Sequence, residues 1–240
     1  MSHIEFTGPP GSGKTTIYNK LLKRNDNLIS PKSTDVLAQH ISSNSKFKTA
    51  ACCAPEPVRS FFLNNFWGPK ARQSLFERFV ASQETYLSLI DEARLAVNVN
   101  SNEIYPAFWR SGWRYQLGVE TVTNDETITL DQGFCHRAVS ISWRANAVQP
   151  PITDFYQRIP LPDYLIYVDA PVKICLERQH NRNAVVVRKD WIDDQVTAQR
   201  TLSELCSQVA TDAENHGVEV INVSNVATIH DAVTSVEDLL

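Results

Sequence analysis

Gly8-Pro9-Pro10-Gly11-Ser12-Gly13-Lys14-Thr15 fills the four fixed positions of the pattern G-x-x-x-x-G-K-[ST]. Before it, Ile4-Glu5-Phe6-Thr7 reads as a short strand. After it, Thr16-Ile17-Tyr18-Asn19-Lys20-Leu21-Leu22 sets apolar residues at 17, 18, 21 and 22 on one helical face. Strand, glycine loop and helix N-terminus together surround a polyphosphate with backbone N–H groups and the positive end of a helix dipole. A chance glycine-rich turn would not need that context. Gly8, Gly11, Ser12, Gly13, Lys14, Thr15 and Thr16 are therefore expected to bind the phosphates of ATP or GTP. Lys14 would reach the β- and γ-phosphates, and the Thr15 hydroxyl would hold Mg2+.

The rest of the chain fits one α/β domain. Its 240 residues are enough to bury a sizeable core, with 42% hydrophobic and 21% charged residues. The 23 basic and 27 acidic residues leave a net charge of −4, so no overall pull toward nucleic acid is expected. No apolar run has the ~20 residues of a membrane helix. The early phosphate loop leaves no room for a leader peptide, and a cytoplasmic location is expected. Cys52, Cys53, Cys135, Cys175 and Cys206 are odd in number and lack zinc-ligand spacing, which reads as reduced thiols.

Hydrophobic periodicity supplies the further elements. Leu28-Ile29-Ser30 is a short strand closed by Pro31, and 32–57 reads as irregular. One long helix is expected from Pro69 through Val97, and a second over about 104–122. Glu126-Thr127-Ile128-Thr129-Leu130-Asp131 is a β-branched strand ending in an acid. Tyr164-Leu165-Ile166-Tyr167-Val168-Asp169 is apolar enough to be covered on both faces, as parallel sheets require. Helices over 172–179 and 191–216 follow, the second stopped by Gly217. A last strand at 218–223 precedes a terminal helix capped by Ser224 or Asn225. Strands alternating with helices predict a parallel sheet with its ligand at the strand C-terminal ends.

Several side chains carry candidate chemistry. Asp131 would hold Mg2+ or accept a substrate proton; Asp169, also at a strand end, is the rival, although an Asp there more often caps the next helix. Arg178, Arg182 and Arg188, with Lys189, form a basic stretch suited to a lid that clamps developing phosphoryl charge, or to a solvated helix end. Arg110 and Arg114 lie one turn apart beside Trp109 and Trp113. That face could stack a base or grip an acidic group, or the tryptophans could be plain core. Arg137 would lie near the phosphates if a helix follows Asp131-Gln132-Gly133. In Ala54-Pro55-Glu56-Pro57-Val58-Arg59 the prolines suggest an extended backbone that points Glu56 into a cleft, or a simple surface connection. His136 and the other five histidines show no metal pairing or nucleophile partner.

Taken together these residues resemble the nucleoside and nucleotide kinase group of phosphate-loop proteins, thymidylate and deoxynucleoside kinases above all. The likeness lies in Gly8 to Thr16, in Pro162 to Pro171 followed by Leu176-Glu177-Arg178, and in Glu56-Pro57-Val58. Asp131 falls where that group carries the acid of an Asp/Glu-Arg motif, although Gln132-Gly133 follows it and Arg137 is the nearest stand-in. The span 32–122 matches no known pattern. The resemblance implies a three-layer α/β/α fold, a five-stranded parallel sheet of order 2-3-1-4-5, and ATP and Mg2+ as cofactors. The domain would comprise residues 1–240, with a helical acceptor-side insertion at about 32–122 and a lid at about 178–190.

The expected activity is ATP- and Mg2+-dependent phosphoryl transfer to a small-molecule hydroxyl or phosphate, with a nucleoside or nucleotide as the expected acceptor. Lys14, Asp131, Arg178 and Arg182 would act on the reacting group; Glu56, Arg110, Arg114 and Arg137 would bind the acceptor. Asp131 and Glu56 both stand as candidate bases. The partner would be that small molecule, with no nucleic acid and no membrane; a homodimer stays open. A GTPase would need an Asn-Lys-x-Asp segment, and the chain has none. A non-catalytic or slowly hydrolysing nucleotide-binding protein is the second alternative.

Overall fold

A computed structural model describes residues 2–42, 55–97, 100–182, 194–225 and 229–237. Five strands make one sheet: β1 (Ser2–Thr7), β2 (Leu28–Ile29), β3 (Thr127–Leu130), β4 (Tyr164–Asp169) and β5 (Glu219–Ser224). Their order is β2-β3-β1-β4-β5, and every pairing is parallel. The expected strand order is met. Central β1 pairs Ile4 with Thr129 on one side and with Tyr164 on the other.

Alternation along β4 explains why the sheet carries helices on both faces. Leu165 and Tyr167 join a large apolar cluster, while Ile166 and Val168 join a smaller one. The smaller cluster packs helix α1 (Lys14–Arg24), through Ile17, Tyr18 and Leu21, beside the C-terminal helix Ile229–Glu237, through Ala232, Val233 and Val236. The larger cluster holds α2 (Thr34–Ser42), α4 (Gly68–Ser82), α5 (Tyr86–Ala96), α6 (Ile104–Thr121), α7 (Phe134–Ala145) and α9 (Gln195–Asn215). Helix α3 (Glu56–Phe62) leads through a π-helical turn, Leu63–Trp67, into α4. Helix α8 (Val172–His180) follows β4, and the C-terminal helix is α10.

Local expectations need three corrections. Residues 69–97 form two helices, interrupted at Gln83, whose φ of −130° and ψ of 72° leave the helical region. The break lets Phe79 and Tyr86 meet edge to face, 4.7 Å apart at 88°, with Phe134 stacked on Phe79 at 5.6 Å. Periodicity continued across the break because both helices bury the same kind of stripe. The span 32–57 contains α2, an ordinary amphipathic helix with Leu37, Ala38 and Ile41 buried. Glu56 opens α3 instead of lying in extended chain, since Pro57 fits a first turn, where no amide donor is needed. Its side chain lies outside what is described.

Among the described cysteines Cys135, Cys175 and Cys206 are free and buried; Cys52 and Cys53 lie outside the described residues. No described helix is long and apolar enough to cross a membrane.

Candidate active site

The phosphate loop runs from the end of β1 to the start of α1, against the ends of β4 and β5. Gly13 is the N-cap of α1 with φ 96°, a left-handed backbone that glycine adopts without strain. A Cβ there would come within 2.2 Å of Asn225 Nδ2, so the position is closed sterically as well. Lys14 and Thr15 open the helix, and their N–H groups therefore lack partners within it.

Distant side chains hold the loop's carbonyls. Asn225 donates from Nδ2 to Ser12 O at 2.6 Å. Arg178 donates from Nη1 to Ser12 O at 3.1 Å and Gly11 O at 3.4 Å, and from Nη2 to Asn225 O at 3.3 Å. Gln179 and Gln199 both donate to Pro10 O, at 3.0 and 2.9 Å, and bond each other at 2.9 Å. With three consecutive carbonyls tied from outside, the loop is shaped before an anion arrives, which spares reorganisation on binding. Asn225 thus supports the loop, because β5 delivers it to the strand ends; the residues leading into the terminal helix, where a cap is expected, lie outside the described residues. Asp169 caps nothing; Pro171 occupies the N-cap of α8.

Lys14 is buried, at 8% exposure, and its ammonium is pushed below the usual lysine range by that burial, with Cys206 and Asp131 opposing the shift. A buried cation beside a triphosphate regains in the complex the charge stabilisation that burial removes. Asp131 lies just past the end of β3, the next strand over. Thr15 Oγ1 donates to its Oδ1 at 3.3 Å and Oδ2 at 3.4 Å, and Lys32 Nζ sits 3.9 Å from Oδ2. A hydroxyl facing a carboxylate is a hard-oxygen donor set, and Mg2+ characteristically takes one or two such protein oxygens and completes its shell with phosphate and water. The two residues fit the ion.

Two residues overlooked in the sequence position this corner. Glu5, fully buried in β1, accepts from the N–H groups of Phe134 and Cys135 at 2.7 and 2.8 Å. Its carboxylate thereby fills the N-terminus of α7 and fixes the turn from Asp131 to Gly133. Gly133 permits the approach, since a Cβ there would sit 2.0 Å from the Glu5 carboxyl carbon. His136, given no role from sequence, bonds through Nδ1 to the Thr7 hydroxyl at 3.2 Å. Burial and then Lys14 and Arg137 drive its basicity well below the usual value, so its ring is neutral. Nothing in the local sequence marks either residue, because a strand interior usually takes an apolar side chain and a helix His is usually surface.

Gly8, Lys14, Gln132, His136, Trp143 and Cys206 help line a cavity of about 420 Å3 at the loop. A second, of about 510 Å3, shares Glu103, Gln132, Ser140 and Arg144 with it and reaches Arg110 and Arg137. The helix expected after Gly133 does bring Arg137 to this side. Arg137 is buried, and its guanidinium donates to Gln132 O at 2.9 Å and Gly133 O at 3.3 Å, with burial lowering it to about 10. On α6, Trp113 is core at 6% exposure and Trp109 packs against that core. Arg114 lies over the Trp113 ring, 5.4 Å from its centroid, while Arg110 is exposed. The expected lid is seen only at its start. Arg178 contacts the loop backbone, Arg182 is exposed, and Arg188 lies outside the described residues.

The pattern of the AAA domain family matches residues 4–205. No curated protein gives a significant match. Among solved structures, deoxyadenosine kinase from M. mycoides with the products dCMP and a flexible dCDP is similar, with 11% identity and a TM-score of 0.49 over 99% of this chain and 97% of that one. The same enzyme with bound dCTP gives 12%, 0.48, 99% and 97%. With bound dATP the figures are 12%, 0.47, 99% and 98%.

Proposed function

The chain belongs to the AAA domain family, and from that premise we propose that it is an ATP- and Mg2+-dependent phosphotransferase acting on a small acceptor, a nucleoside or nucleotide. The observation that carries this reading is the approach of Thr15 to Asp131, 3.3 Å apart, beside buried Lys14, which lines a cavity of about 420 Å3. A switch protein needs the first part of that arrangement; an enzyme with an acceptor also needs the cavity.

In the reaction proposed, the bond between the γ-phosphorus and the β–γ bridging oxygen breaks as an acceptor oxygen bonds to phosphorus, and ADP leaves. Where the acceptor is a hydroxyl, its proton passes to the Asp131 carboxylate. Mg2+, when bound by Thr15 and Asp131, would neutralise charge on the phosphates. The loop amides and Lys14 hold the γ-phosphate, and the bracing by Arg178, Gln179, Gln199 and Asn225 keeps those donors aimed. Asp131 is the base proposed, with Glu56 as the alternative.

Labelled ATP incubated with nucleosides and nucleoside monophosphates tests this directly. A labelled acceptor product supports the reading. Release of inorganic phosphate alone, with every acceptor unmodified, would leave a slowly hydrolysing nucleotide-binding protein in its place.

A further inference from the structure

Arg72 on α4 and Arg110 and Arg114 on α6 differ from several other described arginines, which pair with carboxylates. Arg78, also on α4, pairs with Glu120 at 2.7 Å, Arg144 with Glu103 at 2.6 Å and Arg158 with Glu92 at 2.9 Å. That is what an acidic protein with carboxylates to spare should do. Arg72, Arg110 and Arg114 have no carboxylate partner among the described residues. Arg72 on α4 and Arg114 on α6 instead place their guanidinium carbons each 5.4 Å from the Trp113 ring centroid. The Nε atoms of both are buried and make no hydrogen bond. Buried cationic donors left open carry a free-energy penalty, and evolutionary drift to a neutral side chain would relieve it.

The charges also oppose one another. Arg110 precedes Arg114 by one turn, on the same face. Arg114, already disfavoured by burial, is repelled further by Arg110 and Arg72, and Arg137 by Arg110 and Arg114. Asp131 attracts Arg114, so the cluster stands on the Asp131 side of the phosphate loop. Arg110 and Arg137 border the 510 Å3 cavity, which meets the loop cavity at Gln132, Ser140 and the Arg144–Glu103 pair. Arg72, Arg110 and Arg114 thus stand on the Asp131 side of the loop without an ion-paired carboxylate among the described residues, with the Nε donors of Arg72 and Arg114 open, while Arg137 behind them is bonded to the Gln132 and Gly133 carbonyls.

We propose that this cluster is a subsite for an acceptor bearing a phosphate monoester, held by Arg72, Arg110 and Arg114 with Arg137 behind. The inference rests on the phosphotransferase reading and narrows it from nucleosides and nucleotides to the phosphorylated class. Planar guanidinium forks match phosphate oxygens two at a time, and a doubly charged group offsets the mutual repulsion that the free protein carries. Trp113 orients two of the forks by stacking.

The test uses the full chain and its Arg72→Gln and Arg114→Gln variants, with Lys versions of each. Binding of nucleoside 5′-monophosphates, of the matching nucleosides and of inorganic phosphate is measured by calorimetry without ATP; MgATP binding and thermal melting are measured on the same samples. The wild type should bind monophosphates and not nucleosides. The Gln variants should weaken that binding on the order of 30-fold or more, the Lys variants less. MgATP affinity should be unchanged, and melting temperature equal or higher, because a repelling buried cation is gone. A lower melting temperature with monophosphate affinity intact would make the cluster structural and overturn the proposal. So would equal affinity for nucleosides and monophosphates. Loss of MgATP binding in the wild type would instead overturn the phosphotransferase reading, whatever the monophosphates do.

Discussion

Asn225 donates from Nδ2 to the Ser12 carbonyl at 2.6 Å, joining positions 213 residues apart. The bond ties the end of β5 to the phosphate loop at the point where Gly13 leaves no room for a Cβ. Loop shape is therefore a property of the sheet's far edge as much as of the glycines. Asn225→Ala should lower stability by about 1–3 kcal/mol, the penalty for an unmade buried hydrogen bond. It should also weaken MgATP binding roughly tenfold, since part of the binding energy must then reorder the loop. Calorimetry and denaturant melts read both; unchanged nucleotide affinity would remove Asn225 from the site.

Lys14→Met exchanges a buried ammonium for an apolar chain of similar length. Burial already holds the Lys14 ammonium below its usual range, so the free variant should melt at the same temperature or higher. Turnover should fall by about 10²–10³-fold, the usual effect of removing one preorganised charge contact. A variant that melts early would mean that Lys14 serves packing.

Asp131→Asn keeps size and hydrogen bonding to Thr15 but removes the charge. Activity should fall sharply, and the Mg2+ concentration for half-maximal rate should rise. If the rate drops while the Mg2+ requirement stays put, Asp131 acts on the acceptor proton alone.

Glu5→Gln leaves one carbonyl oxygen for two amide donors, those of Phe134 and Cys135. One buried N–H then goes unpaired, which should cost about 1–3 kcal/mol of stability. Activity should fall too, because Asp131 sits on the turn that this carboxylate holds. Chemical denaturation beside a rate assay separates the two effects.

His136 predicts a pH dependence. Its folded basicity is well below the ordinary 6.5, from burial first and then Lys14 and Arg137. Below pH 6.5 the unfolded chain takes up a proton that the folded chain refuses. Stability is thus fully present above that value and falls as pH drops, by up to about 1.4 kcal/mol per unit. His136→Gln retains a partner for Thr7 and should flatten the slope by one proton. An unchanged slope in melts between pH 5 and 7 would reject this.

The parts readable from short stretches of sequence are those set by contiguous residues. Gly8 to Thr15 fixes a backbone path within eight positions, and the β4 run announces a strand covered on both faces. Alternating strands and helices announce a parallel sheet, and its order 2-3-1-4-5, implied by the resemblance to phosphate-loop kinases, is the one found. Asp131 was legible for the same reason: an acid at a strand end faces the ligand edge of a parallel sheet. The join of α4 and α5 was not legible, because periodicity reports which side of a helix is buried and is silent about where its axis turns.

What side chains do across the fold depended on packing. Gln179, Gln199 and Asn225 look like ordinary polar residues until three elements bring them against Pro10 and Ser12. Glu5 looks like a fault in a strand until α7 offers it two amides. Arg72 and Arg114 are 42 positions apart, and only the crossing of α4 and α6 sets them around one indole. Local pattern encodes backbone conformation because its forces act between near neighbours. Hydrogen-bond satisfaction and charge balance are settled by whichever residues meet, and that meeting is a consequence of the whole chain closing on its core.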